Sequence, residues 1–420
     1  MRLKSPLVIQ YEITQKCNQL CGHCYNEWNY MPIDKNYVDS ILIADKIAEA
    51  EVFHVIFTGG EPLMRFADMA RSVPVLEEGN VSFSLNSNLT LLNESKADFL
   101  KDHNFKNILT SLTHFNEDDH NRYVRNPNAY ANFLRGINLI LDRGIPLSVN
   151  MVVTSENYES VYDTGIFIQS LGINSFNASR FIPASASHLN MAPSRVHIKS
   201  MLEQLLLLEK GGFIVGTLNP IPSCFGGGRY LSVSKGRSCS AGSSSAAISP
   251  SGDFRLCQHF YDSVGNVADS SIEDLWKISA SWRDSYPIKK CLDCGELDSC
   301  GGGCRQSQFI ITGDLGSTDS LFSGSIGKGV KANFGHNINK NDEIYFVNGL
   351  RRRRETEGGI YFRSLQNFVY VNDAFYDLIP LLYNKPFTIK ELPTNSNQDL
   401  EKLINVFSLL HHKGIIKIRR

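Results

Sequence analysis

All ten cysteines of the chain fall in two groups, Cys17, Cys21 and Cys24 near the start and seven more from Cys224 to Cys304. Cysteines that only fill a core would be scattered. Thiols gathered at short gaps bring several soft ligands to one point, which is the demand of a bound metal. Cys17-x3-Cys21-x2-Cys24 offers three thiolates in one tight loop, whereas a structural zinc or a complete iron-sulfur cluster usually takes four. His23 could complete a zinc site, and three unrelated buried thiols are the plainer alternative. Three thiolates on a 4Fe-4S cluster would leave one iron open to a small molecule. The second group reads Cys239-x12-Gly252-x4-Cys257, then Cys291-x2-Cys294-x5-Cys300-x3-Cys304, with Cys224 upstream in the glycine-rich SCFGGGRY. A zinc ribbon built on CLDC and CGGGC fits poorly, because its paired spacing differs from twin knuckles.

Such loops need a scaffold, and 420 residues with 42% hydrophobic content are enough for two or three domains with buried cores. Residues 8–14, 53–58, 81–88, 107–113, 146–154 and 175–183 read as strands, separated by helical patterns near 38–51, 65–72, 93–102, 128–143, 157–171 and 194–210. Six β/α units predict a parallel sheet with outer helices and chemistry in the loops at the carboxyl ends of the strands. Cys17 follows the first strand directly, so the first metal site is expected at the mouth of a barrel. Residues 211–311 are rich in glycine, serine and cysteine, with too few apolar residues for an ordinary core, and metal is expected to replace it. The Gly/Ser/Asn-rich stretch 312–341 reads as a linker. From 342 to 420, three short strands, three helical patterns and a strand-like IIKI make a small α+β, winged-helix-like module.

A formal charge of -1 gives no global basic field for nucleic acid. No run approaches the ~20 apolar residues of a membrane span, and the N-terminus lacks a signal-peptide core. The expected location is cytoplasmic, where thiols stay reduced.

The segment CNQLCGHCY resembles the CxxxCxxC signature of the radical S-adenosylmethionine (SAM) enzymes. The resemblance implies a partial (β/α)6 barrel over 1–210 and a 4Fe-4S cluster on Cys17, Cys21 and Cys24 whose open iron chelates SAM. It also implies transfer of an electron to SAM and hydrogen abstraction by a 5'-deoxyadenosyl radical, with the electron coming from a donor such as flavodoxin or ferredoxin. Gly59-Gly60-Glu61-Pro62 ends the second strand and resembles the GGEP motif that holds the SAM amino group. By the same resemblance His23 packs where an aromatic residue meets adenine, and Asn86, Asn88, Ser111, Asn150 and Arg180 face the SAM ribose and carboxylate. Polar residues at strand ends also commonly cap helices or satisfy loops, and that reading stays open for each.

The second cysteine group resembles the SPASM extension of radical SAM enzymes that modify peptides and proteins, which usually holds two auxiliary iron-sulfur clusters. The resemblance assigns Cys239, Cys257 and Cys304 to the first and Cys291, Cys294 and Cys300 to the second, with Cys224 expected as fourth ligand of the first. No cysteine follows Cys304 where the pattern has one, so the second cluster lacks a thiolate; Asp314, Asp319 and His336 lie downstream, ranked no higher than solvated loop residues. Residues 342–420 resemble a PqqD-like RiPP recognition element, which implies a precursor-peptide leader added as a strand to a sheet edge. Arg351 to Arg354 could attract an acidic leader or simply form a solvated hairpin face, and a DNA-binding winged helix is the alternative for the module. The whole reads as a peptide maturase forming a C-C, ether or thioether crosslink. Epimerisation, sulfatase-maturase-like protein modification and a non-catalytic iron-sulfur scaffold are the alternatives.

Overall fold

Runs rich in valine, isoleucine and phenylalanine become seven parallel strands laid side by side in chain order: β1 (Val8–Thr14), β2 (His54–Gly59), β3 (Ser82–Asn86), β4 (Ile108–Ser111), β5 (Leu147–Val153), β6 (Ser175–Arg180) and β7 (Ile214–Gly216). The computed structural model describes residues 3–26, 36–234, 237–324, 338–364, 367–383, 385–392 and 397–419. They fall into two compact units, one within Ser5–Lys328 and one joining the first residues to the chain beyond it.

Ile9, Val55, Phe57, Leu85, Ile108, Val149 and Phe176 of these strands are wholly buried. The covering helices are α1 (Ser40–Glu49), α2 (Phe66–Glu78), α3 (Glu94–Asp102), α4 (Glu117–Val124), α5 (Ala129–Asp142), α6 (Val161–Ser170) and α7 (Arg195–Lys210). α5 shows why they lie flat on the sheet: Phe133, Gly136, Ile137 and Ile140 recur at helical spacing and all face inward. Asp39, Asn93, Asn116 and Ser194 cap α1, α3, α4 and α7 with side-chain oxygens. The α/β sheet architecture read from the sequence is therefore present. α4 was not anticipated, because its eight residues carry only His120, Tyr123 and Val124 as buried positions and show little periodicity. α2 also continues through Pro74 beyond the expected stop at 72.

The cysteine-rich region departs from expectation in one respect. β8 (Ser245–Ile248), β9 (Asp253–Arg255) and β10 (Ser263–Asn266) extend the barrel sheet to ten strands on the far side of β1. β8 runs parallel to β1 from Val8↔Ser245 to Tyr11↔Ile248, and all four of its residues are buried. Ala241, Leu256, Phe260 and Trp282 form a small apolar cluster beside it. Backbone pairing thus supplies part of what metal alone was expected to supply.

The smaller unit holds a two-stranded sheet of β11 (Glu343–Phe346) with β15 (Ile416–Arg419), and an antiparallel sheet in the order β12 (Arg351–Arg354), β13 (Gly359–Ser364), β14 (Asn367–Val371). Phe346, Tyr361, Ile379, Phe387 and Phe407 centre its core. β12 is the four-arginine run, whose composition hid a strand. Arg353 is buried against Glu355 at 2.8 Å, and Arg354 pairs with Asp373 at 2.8 Å and with Asp377. Arg351 and Arg352 lie over the rings of Phe362 and Tyr376. Much of the run's charge is therefore engaged inside the module. Among the described residues no helix is long and apolar enough to cross a membrane.

Candidate active site and metal centres

The Cys17 loop leaves the end of β1 and is stitched to the end of β2 through backbone. Gly60 N–H donates to Thr14 O at 2.7 Å and Glu61 N–H to Lys16 O at 2.8 Å. A Cβ at Gly60 would stand 2.1 Å from Lys16 O, and one at Gly59, where φ is 123°, 2.2 Å from Thr14 O. No side chain fits that approach, so both glycines are explained by contact with the cysteine loop. The buried Glu61 carboxylate accepts from Leu63 N–H (3.0 Å), Ser87 Oγ (2.7 Å) and Asn88 N–H (2.8 Å). It ties the β2 and β3 loops together, and burial raises its pKa against those three donors. Asn88 donates to Asn18 Oδ1 at 2.9 Å and approaches Cys17 Sγ at 3.9 Å. From the other side α4 accepts Leu20 N–H and Gly22 N–H at its final carbonyls, Val124 O and Tyr123 O.

Burial raises the pKa of all three thiols and pushes Cys17 up to about 12, and the charge of nearby Cys24 adds to the rise at Cys17 and Cys21. Asn26 N–H points at Cys24 Sγ, 3.4 Å away. Among the described residues no three His, Cys, Asp or Glu side chains converge on a single ion; the thiols group at a looser spacing, at which Cys17 and Cys21 still feel the charge of Cys24. Buried thiols of this kind give up their protons when a cationic centre neutralises them, so the donor set fits an iron-sulfur cluster. His23 is buried and held neutral, its pKa lowered to about 4 by desolvation. Its Nδ1 has no partner among the described residues, leaving one polar atom for a ligand to satisfy.

The remaining expected SAM contacts sit at or near carboxyl ends of strands but are not equally available. Asn86 ends β3 half-buried, and Ser111 ends β4 exposed. Asn150 accepts from Ser179 Oγ at 2.7 Å. Arg180 points elsewhere: its guanidinium grips both oxygens of Asp319, one at 2.9 Å, with both side chains buried. The other Asp319 bonds accept Cys304 N–H at 2.8 Å and Leu321 N–H at 2.9 Å. Asp319 was placed among solvated loop residues by its surroundings in sequence, and the structure corrects that: a carboxylate in a Gly/Ser stretch is the buried clamp between β6 and Cys304. Gly303 is required there, since a Cβ would lie 2.3 Å from Asp319 Oδ2. Asp314 is exposed and bonds within its own turn, and His336 lies outside the described residues.

The second cysteine group divides in two. Burial first, and then the charge of neighbouring Cys239, raises the pKa of Cys257 to about 12 and of Cys304 to about 11, which places these three thiols together. Cys291, Cys294 and Cys300 line a small cavity at a second place, and Cys224 lines it with them. Cys224, expected with Cys239, Cys257 and Cys304, thus lies beside the other three thiols.

Contacts absent from the sequence reading join the first loop to the Cys257 segment. Glu12 on β1 forms a buried ion pair with Arg255 on β9. The Tyr25 ring, next to Cys24, packs on His259 with centroids 4.8 Å apart, and Tyr261 Oη donates to Tyr25 O.

Residues 11–168 match the model of the radical SAM superfamily, and 239–295 that of the SPASM iron-sulfur cluster-binding domain. The chain is an enzyme that carries a radical SAM domain and a SPASM domain. Its cofactors are accordingly a 4Fe-4S cluster with SAM and auxiliary iron-sulfur clusters. It is similar to the AdoMet-dependent heme synthase of Nitratidesulfovibrio vulgaris, 22% identical over 75% of this chain and 92% of the relative. It is also similar to the PqqA peptide cyclase of Granulibacter bethesdensis, 23% identical over 76% and 87%. The radical SAM/SPASM chain shares its fold with Streptococcus suis SuiB bound to precursor peptide SuiA, at a TM-score of 0.62 and 18% identity over 76% of each chain.

Proposed function

We propose that this radical SAM/SPASM enzyme matures a ribosomally synthesised precursor peptide, most simply by forming an intramolecular C-C, ether or thioether crosslink. SAM on the cluster supplies the hydrogen-abstracting radical, and an external flavodoxin or ferredoxin supplies the electron. Cys17, Cys21 and Cys24 hold the cluster. Gly59 and Gly60 set their loop, while Glu61 and Asn88 lock the neighbouring turns. His23, Asn86, Ser111 and Asn150 remain for the cofactor's polar groups. The seven cysteines of the SPASM region hold two auxiliary clusters.

The observation that carries the peptide reading is the separate folded unit at the C-terminus. Its three-stranded antiparallel sheet ends in two edge strands, β12 and β14, and an edge is what an added leader strand needs. This supports a PqqD-like leader-binding module over 342–420, joined through 312–341 to the SPASM region of 211–311 and the barrel of 1–210. The names of two similar proteins, a PqqA peptide cyclase and SuiB with its precursor peptide, support the same class of substrate. The similarity to heme synthases makes a porphyrin the competing substrate.

The test is anaerobic SAM cleavage by the reconstituted, reduced protein, with the precursor peptide sought in neighbouring reading frames. Peptide-dependent 5'-deoxyadenosine with a mass change in the peptide is expected, and a chain cut before Asp342 should lose peptide binding. Stimulation by a porphyrin alone would replace the peptide reading. A peptide bound without any turnover would leave a scaffold, and an isobaric product would mean epimerisation.

A further inference from the structure

The ten cysteines do not divide as the usual pattern divides them. Cys224 precedes the rest of its group by a long stretch of chain, yet it faces the cavity lined by Cys291, Cys294 and Cys300. Two backbone N–H groups point at sulfurs there: Ser323 N–H at Cys224 Sγ, 3.3 Å, and Ser223 N–H at Cys300 Sγ, 3.4 Å. The second of these places the turn before Cys224 directly on Cys300. N–H groups aimed at sulfur favour its anionic form, as a cluster ligand requires.

The loop carrying Cys224 is held to this place by packing. Arg195, the first residue of α7, lies over the Phe225 ring at 5.1 Å. Its guanidinium also donates to Ser320 O at 2.6 Å and Ser323 Oγ at 2.7 Å. One side chain thereby clamps the segment after Cys224 to the strap whose N–H meets Cys224 Sγ.

We propose that Cys224 is the fourth thiolate of the auxiliary cluster held by Cys291, Cys294 and Cys300, so that the cluster on Cys239, Cys257 and Cys304 has only three protein thiolates. Cys224 takes the place of the cysteine missing after Cys304, reaching the same cluster from upstream. Asp319 does not complete the three-thiol set, because both its oxygens are occupied by Arg180 and by two backbone N–H groups. One iron of the cluster on Cys239, Cys257 and Cys304 is left without a cysteine. Each thiol enters as a thiolate, releasing its proton to solvent, and no electron is transferred. The inference rests on the auxiliary clusters alone and is independent of the peptide substrate.

The experiment uses the full chain with Cys17, Cys21 and Cys24 replaced by alanine, so that only auxiliary clusters remain, reduced and examined by electron paramagnetic resonance with and without cyanide. One of two signals should respond to cyanide, the one lost in a further Cys257→Ala variant. Adding Cys224→Ala should make the other signal cyanide-responsive, and Cys224→Ser should shift that signal alone, the one lost in Cys294→Ala. Iodoacetamide mapping of the loaded protein should find Cys224 protected like Cys294, and labelled once iron is removed. Unchanged signals in Cys224→Ala, a change confined to the Cys257-dependent signal, or Cys224 labelling in loaded protein would each overturn the assignment. Loss of all iron from the triple variant would overturn the auxiliary clusters themselves.

Discussion

The first cysteine loop and the SPASM region hold their thiols by opposite means. Around Cys17, Cys21 and Cys24 the work is done by backbone: Gly60 and Glu61 amides bond to the loop, α4 carbonyls accept its N–H groups, and the parallel sheet lies beneath. Around Cys239, Cys257 and Cys304, and around Cys291, Cys294 and Cys300, the chain is mostly turns between short strands and short helices, with an apolar cluster of four buried residues beside them. There the specific fastening is a buried ion pair, Arg180 with Asp319, and the thiols themselves. The difference teaches that the first site is shaped before its cluster arrives, while the second region is shaped partly by its clusters.

Stripping iron with a chelator should separate the two most sharply. Hydrogen exchange is expected to show residues 289–324 losing most of their protection while β2 to β5 keep theirs; equal loss in both would erase the contrast. Next in size, Asp319→Asn leaves the Arg180 charge buried and unpaired, which costs about 3–5 kcal/mol in a denaturation experiment. Replacing both by apolar residues should recover much of that. Gly60→Ala probes the backbone-built side: with a Cβ only 2.1 Å from Lys16 O, SAM cleavage should fall on the order of 100-fold, with auxiliary cluster content unchanged. Glu61→Gln turns an amide toward one of three donors and should cost about 1–3 kcal/mol, read as a lowered Tm. The smallest effect belongs to the other unit, where removing the exposed Arg354 pairs by Arg354→Ala should leave Tm almost unchanged.

What the sequence made legible was local: strand periodicity, the thiol triplet at the end of β1, and the Gly-Gly pair at the end of β2. Each is a short-range pattern whose chemistry lies within a few residues. What escaped depends on distant partners. Cys224 meets Cys300 and Asp319 meets Arg180 across long stretches of chain, and no spacing rule encodes either meeting. β12 was missed for another reason, since four consecutive arginines mask the alternation by which only Arg353 is wholly buried. α4 is short and polar, so its role in fastening the cysteine loop shows only in three dimensions.

β1 is the first strand made and an inner strand of the finished sheet, flanked by β2 and β8. During synthesis its β2 side is satisfied early, but its other side waits until Ser245 has emerged. For that interval the nascent chain carries an open, hydrophobic edge of the kind that recruits other strands. A chain truncated between β7 and β8 should therefore aggregate even with its first seven strands intact, and the SPASM region serves as the barrel's folding partner as well as its metal carrier.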